Sequence, residues 1–209
     1  MNASALPRRF DDARLGSLIE AIGSIGGAWR RAFVAQINPR PRDVIVEIGC
    51  GEGELTLMLA AAAPDATLIA IDADAEALRR AELRARAVSA KVQFIHGHAR
   101  DVAQWGSPLT PNKIVASLAL LQTPSAELSL LLRDIHRTLS HDGAVHIAEF
   151  GAQDAPLMRQ LFSLSHAPDV HGAEALPRFM REAGFKAVDE ARRIATLRGS
   201  ISLFSARAN

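Results

Sequence analysis

The sequence predicts an α/β domain built on a parallel sheet with helices on both faces. Three observations carry that prediction. Short apolar, β-branched runs alternate with longer helical runs between residues 43 and 150. A glycine-rich stretch lies at the first strand–helix junction. The 209 residues suit one domain with a full core. Alternation of this kind implies right-handed crossovers and a sheet buried on both sides.

Taken in order, Asp43 to Ile48 is the first predicted strand and Glu54 to Ala63 the helix after it, stopped by Pro64. Thr67 to Asp72 is the second strand, followed by an Ala-, Leu- and Arg-rich helix from Ala75 to Val88. Lys91 to His96 and Lys113 to Leu118 are the third and fourth strands. Ser125 to Leu139 carries apolar residues at 128, 131, 132, 135 and 139, the spacing of one buried helical face. Ala144 to Phe150 is the fifth strand. A helix near Leu157 to Leu164 and a looser stretch lead to a helix from Leu176 to Ala183, with Gly184 as its cap. Lys186 to Arg193 and Ser200 to Arg207 leave little room for a helix between them and read as a terminal antiparallel pair. Before Pro39, residues Leu15, Leu18, Ile19 and Ile22 suggest an amphipathic helix over the sheet edge, so residues 1–40 read as a helical cap on a single domain spanning 1–209.

Composition narrows the partners. The formal charge of +1 gives no basic field, so no nucleic-acid partner is expected. The single cysteine, Cys50, forms no disulfide within the chain, which fits a reducing, cytoplasmic setting. Residues 1–10 lack the apolar core of a signal peptide. The run from Leu57 to Ala63 is too short to span a bilayer, which leaves only peripheral membrane contact open.

The strongest local signal is VIVEIGCGEGELT, Val44 to Thr56. Gly49, Gly51 and Gly53 let the backbone turn sharply and approach a ligand. The following helix offers free N–H groups and a positive dipole end. That combination is a nucleotide-type site. A dinucleotide fingerprint requires glycine at position 54, where the chain has Glu54, and the lysine of a P-loop is absent. Glu47 and Glu52 disfavour a pyrophosphate and favour a ligand with ammonium and sulfonium centres, so the loop points to S-adenosylmethionine rather than NAD. Asp72, ending the second strand in LIAIDAD, can accept both ribose hydroxyls. The competing reading makes Asp72 a helix cap, but Asp74 can fill that role.

These residues resemble the class I S-adenosylmethionine-dependent methyltransferases. EIGCGEG (Glu47 to Gly53) and IAIDAD (Ile69 to Asp74) are similar to the first two motifs of that family. RTLSHDGAVHIAEF (Arg137 to Phe150) and REAGFKAV (Arg181 to Val188) are similar to its later helix–turn–strand units. The likeness covers roughly residues 40 to 207 and comes nearest to the branch that methylates quinone rings and similar small acceptors. It implies a Rossmann-like doubly wound sheet of seven strands in the order 3-2-1-4-5-7-6, the last antiparallel, with residues 151–180 as a substrate-side insert. It implies that Glu47 orders the loop and the cofactor's amino group, and that Gly49, Gly51 and Gly53 line the methionine part. Asp72 with Ala73 would hold the ribose, and His98 and Ala99 would meet the adenine.

Two positions depart from the family pattern. His98 stands where an Asp commonly accepts from the adenine amino group, and a neutral imidazole does this in one tautomer only. Lys113 begins the fourth strand where the family often has an acid. The chain has no tyrosine, so the N-terminal aromatic element of that branch is missing.

Methyl transfer depends chiefly on alignment, and a base is needed only when the acceptor must lose a proton. Glu149 and His166 are the candidate bases, with His171 close behind; the plain alternatives are a satisfied strand-end carboxylate and solvated loop histidines. Met158, Leu161, Phe162 and Leu164 can roof an apolar acceptor or serve as ordinary core. Arg8, Arg9, Arg30 and Arg31 suit a solvated helix face better than an anionic surface. His136, His141 and His146 read as structural or exposed, and His96 with His98 lacks the further ligands of a metal site. The expected function is methylation of a small, apolar or aromatic acceptor. A fold retained for binding or regulation without catalysis is the alternative; a nicotinamide oxidoreductase is opposed by the glycine spacing.

Overall fold

The computed structural model describes residues 27–101, 110–120, 123–151, 173–196 and 199–209. The expected helices at 15–22 and 157–164, with His166, His171 and most of the 151–180 segment, lie outside the described residues. Seven strands form one sheet: β1 (Val44–Ile48), β2 (Thr67–Asp72), β3 (Gln93–His96), β4 (Lys113–Ser117), β5 (Ala144–Phe150), β6 (Lys186–Thr196) and β7 (Gly199–Arg207). Their order is β3-β2-β1-β4-β5-β7-β6. β1 to β5 pair in parallel, and β7 runs antiparallel to both β5 and β6. The fold is the Rossmann-like methyltransferase fold the resemblance implies. The sixth strand is longer than expected and irregular, with register shifts at Lys186/Asp189 and Glu190/Arg192.

Helices α1 (Ala28–Ile37), α2 (Glu54–Ala62), α3 (Ala75–Ala87), α4 (Ser125–Thr138) and α5 (Leu176–Glu182) cover the sheet. On one face Trp29, Phe33 and Ile37 of α1 and Leu55 and Leu59 of α2 pack on Ile45, Val115, Ala148 and Phe150. On the other, α4 buries Leu128, Leu131, Leu132 and Ile135, with Leu139 just beyond its end, as its spacing predicts. Each such side chain contributes roughly 1.5–3 kcal/mol on leaving water. Asp74 caps α3, accepting from the N–H groups of Glu76 and Ala77 at 2.9 and 3.1 Å. α5 ends in a Schellman turn. Gly184 has φ 108°, its N–H reaches the Arg181 carbonyl at 3.0 Å, and the Phe185 N–H reaches the Met180 carbonyl at 3.1 Å.

The departure at Lys113 has a local explanation. The Lys113 ammonium lies 2.5 Å from Asp43, just before β1, and also donates to the Asn38 carbonyl. Burial pushes the Asp43 carboxyl up, but hydrogen bonds from Lys113, Asn112 and the Arg40 N–H outweigh it and hold the group below its ordinary 3.8. His146 lies across β4 from this pair, and its register partner is Val115. The ring is buried, and Nδ1 has no hydrogen-bond partner among the described residues. Desolvation, with Lys113 and Arg207 nearby, lowers its pKa from 6.5 to about 4.

Candidate functional site

The strand order reverses between β1 and β4, and open α/β sheets bind ligands at such a switch point, beyond the strand carboxyl ends. A cleft of about 910 Å³ opens there. Its floor is the junction of β1 and α2. The N–H groups of Gly49 and Cys50 both donate to the Ile71 carbonyl, at 2.8 and 3.1 Å, which folds the loop back against β2. Gly49 and Gly53 have φ of 70° and 80°, and a Cβ at Gly53 would come within 3.0 Å of the Ala81 methyl. Only glycine meets both demands without strain.

Asp72 joins the loop to β2. One carboxylate oxygen accepts from the Gly51 N–H at 2.7 Å and the other from the Asp74 N–H at 2.8 Å. A carboxylate has about four lone-pair sites, so two backbone bonds leave acceptor capacity facing the cleft. Glu47 is buried, and its carboxylate accepts from the Thr56 hydroxyl at 2.5 Å, tying β1 to α2 beneath the glycines. The far wall is formed by the ends of β2 and β3. Gly97 donates to the Asp72 carbonyl at 2.9 Å, and a His96 ring nitrogen lies 3.0 Å from the Ala73 carbonyl. His98 is exposed at the rim, beside Ala99.

Glu47, Gly49, Gly51, Asp72, Ala73, His98 and Ala99 all line this cleft. Gly53 lies just behind it, in the turn that starts α2. Glu149 does not line it. Its side chain is fully buried, with one oxygen 3.1 Å from the Leu120 N–H and the other 3.2 Å from the Phe150 N–H. Those contacts tie Glu149 to the loop after β4 and, among the described residues, place it outside the cleft lining.

Residues not anticipated also line the cleft: Ser117 at the end of β4, Leu118 and Ala119 just beyond it, Glu127 in α4, and Arg30 with Glu54. The general rule that sites gather at strand carboxyl ends points to the β4 group. Arg30 is a correction: it lies on no solvated face. It is 6% exposed, its guanidinium is 4.5 Å from the centre of the Trp29 ring, and it pairs with Glu54 at 2.9 Å. Among the described residues no group of three or more His, Cys, Asp or Glu side chains could hold a metal, and no helix is long and apolar enough to cross a membrane.

Residues 45–143 match the family model of a methyltransferase domain. No curated protein matches the chain. Among solved structures, a SAM-dependent methyltransferase from Methanosarcina mazei is 20% identical, with 83% of this chain and 96% of that one covered and a TM-score of 0.64. A SAM-dependent methyltransferase from Aquifex aeolicus is 15% identical, with 96% and 100% covered and a TM-score of 0.68. The magnesium protoporphyrin IX methyltransferase of Synechocystis PCC 6803, solved with bound SAM, is 17% identical, with 99% and 86% covered and a TM-score of 0.61. At these identities the structural likeness is one of fold. Residues 45–143 are therefore similar to a methyltransferase domain, and the chain shares the fold of solved S-adenosylmethionine-dependent methyltransferases.

Proposed function

We propose that this protein transfers a methyl group from S-adenosylmethionine to a small, apolar or aromatic acceptor, in the manner of the branch that methylates quinone rings. The observation that carries the reading is the cleft itself. At about 910 Å³ it lies near the top of the ~300–1,000 Å³ range of ligand pockets, with room for a donor and a small acceptor together. The residues fit the donor. The glycine turn leaves space that a Cβ would fill, Asp72 keeps acceptor capacity for the ribose hydroxyls, and Glu47 and Glu54 suit cationic centres. Ala99 offers backbone, and His98 one ring nitrogen, to the adenine.

When bound, the donor supplies an electrophilic methyl. The chain's part is alignment and exclusion of water. Glu47 stiffens the turn from below, Asp72 fixes the sugar, and Leu118 and Ala119 shape the wall beside which the acceptor lies. Where an acceptor must shed a proton, His166 is the candidate base.

Calorimetric titration with S-adenosylmethionine and S-adenosylhomocysteine tests the reading, followed by a methylation screen of quinones and phenols. Micromolar binding and turnover of an aromatic acceptor are expected. Binding without turnover on any small acceptor would move the protein to the non-catalytic alternative.

A further inference from the structure

Resting on the donor site proposed above, we infer that Arg84 is a positioning residue for the donor. From outside the cleft it joins Arg80 in clasping Glu52 and holds the glycine turn in its binding shape. Glu52 lies between Gly51 and Gly53, yet it is not part of the cleft lining. The charge that the sequence alone offers to a cationic ligand is neutralised by α3 instead. The Glu52 carboxylate accepts from Arg80 Nε at 2.9 Å and pairs with Arg84 at 2.6 Å. A second Arg84 nitrogen donates to the Glu52 carbonyl at 3.2 Å. The N–H of that same peptide, on Gly53, donates to the Cys50 carbonyl at 2.9 Å. The Glu52–Gly53 peptide is therefore gripped at both of its polar ends, and turning it over would break both bonds.

The turn needs such a hold. Gly49, Gly51 and Gly53 have φ of 70°, 53° and 80°. Glycines that adopt this backbone readily also leave it readily, so an unsupported turn would have to be ordered anew by each ligand, at a cost in affinity. α3 supplies the support at two points. At its start, the Asp74 N–H donates to one oxygen of Asp72, whose other oxygen accepts from the Gly51 N–H. Further along, Arg80 and Arg84 stand one turn apart on a single face and both reach Glu52. Ala81 packs so near Gly53 that a Cβ there would come within 3.0 Å of its methyl. Gly51, Asp72, α3 and Glu52 thus form a closed ring of contacts around the turn. The three clasping side chains are between 31% and 45% exposed, and a lone ion pair so exposed contributes little to stability. Here two arginines converge on one carboxylate and its own carbonyl, so the network acts on the shape of the turn.

The test uses the full chain as wild type, Arg84→Met, Glu52→Gln and the double variant, with Arg86→Met as control. Arg86 removes the same charge from α3 but pairs with Glu82. Arg80 is left in place because it also meets Glu76, which lines the cleft. In calorimetry, Arg84→Met should bind S-adenosylhomocysteine roughly three- to tenfold more weakly. The control should change by less than about twofold, the usual margin for an untouched contact. The double variant should lose clearly less than the two single losses multiplied together, because both changes open one clasp. Hydrogen exchange in the ligand-free protein reads the turn directly: the Gly53 amide should exchange several-fold faster in Arg84→Met, while urea melts move little. Unchanged Gly53 exchange overturns the inference, and so do single losses that multiply in full. Wild-type affinity in Arg84→Met, with or without a fall in stability, also overturns it and makes the arginine structural. Wild type that binds neither S-adenosylhomocysteine nor S-adenosylmethionine refutes the donor site and this inference with it, a result distinct from the others.

Discussion

Gly49 and Ala119 stand so close that a Cβ on residue 49 would fall 2.4 Å from the Ala119 methyl. Ala119 has little freedom to retreat. Leu118 before it donates to the Ala148 carbonyl at 2.8 Å, and Leu120 after it donates to Glu149 at 3.1 Å. The glycine turn and the β4 wall therefore define each other's position. Gly49→Ala should add the clash to a left-handed backbone strain of about 1–2 kcal/mol and abolish tight binding of S-adenosylhomocysteine in calorimetry. Pairing it with Ala119→Gly should recover part of the loss, because the clash goes and the strain stays. Wild-type affinity in Gly49→Ala would sink this account.

Asp72 holds the loop through the Gly51 and Asp74 N–H groups and, in the proposed site, the ribose as well. Asp72→Asn keeps one oxygen but turns an amide N–H₂ toward a backbone donor. The lost charge-assisted bonds predict at least roughly tenfold weaker S-adenosylhomocysteine binding. Asp72→Ala should be worse. If affinity survives both changes, the ribose is held elsewhere.

Glu149→Gln separates a structural role from a chemical one. A glutamine can accept only through one oxygen, so one of the backbone N–H groups now satisfied by Glu149 loses its acceptor in a dry place. The expected cost is about 1–3 kcal/mol, read in urea melts. A proton-taking role predicts the reverse: unchanged stability, slower turnover and an altered pH profile.

His146 predicts an acid limb in stability. Its folded pKa of about 4 lies below the ordinary 6.5, so the unfolded chain binds the proton first. Its contribution is complete above about pH 6.5 and is lost as pH falls towards 4, by at most roughly 3 kcal/mol. Asp43, also depressed, adds a separate loss that begins only near its ordinary value and continues below it. Urea melts between pH 7 and 4.5 should therefore show a slope in wild type that His146→Leu flattens. An unchanged slope in that variant would refute the assignment.

Much of the fold is legible in the residues because its signals are local. The face at 128, 131, 132, 135 and 139, the Asp74 cap and the Gly184 turn each depend on spacing or on one residue's conformational freedom. The cleft lining at Gly49, Gly51 and Asp72 is legible for the same reason, since these residues come at the ends of recognisable strands. What escaped depends on distant partners. Arg30 looks solvated until Glu54 and Trp29 enclose it. Lys113 looks like a loss until Asp43, seventy residues earlier, is found to carry the opposite charge. Glu149 reads as a strand-end carboxylate, and only the fold shows the Leu120 and Phe150 N–H groups donating to it.

The position of β7 has a consequence for assembly. β7 follows β6 in the chain but lies between β5 and β6 in the sheet. The nascent polypeptide therefore cannot lay down this half of the sheet in the order in which it emerges. β6 must wait unattached until a later segment arrives, and the flank of β5 stays open meanwhile. Closing that gap buries Ile201, Leu203, Phe204 and Ala206. Because β7 joins β5 to β6, the outer half of the sheet depends on this one strand, and β5 and β6 present open edges until it is in place.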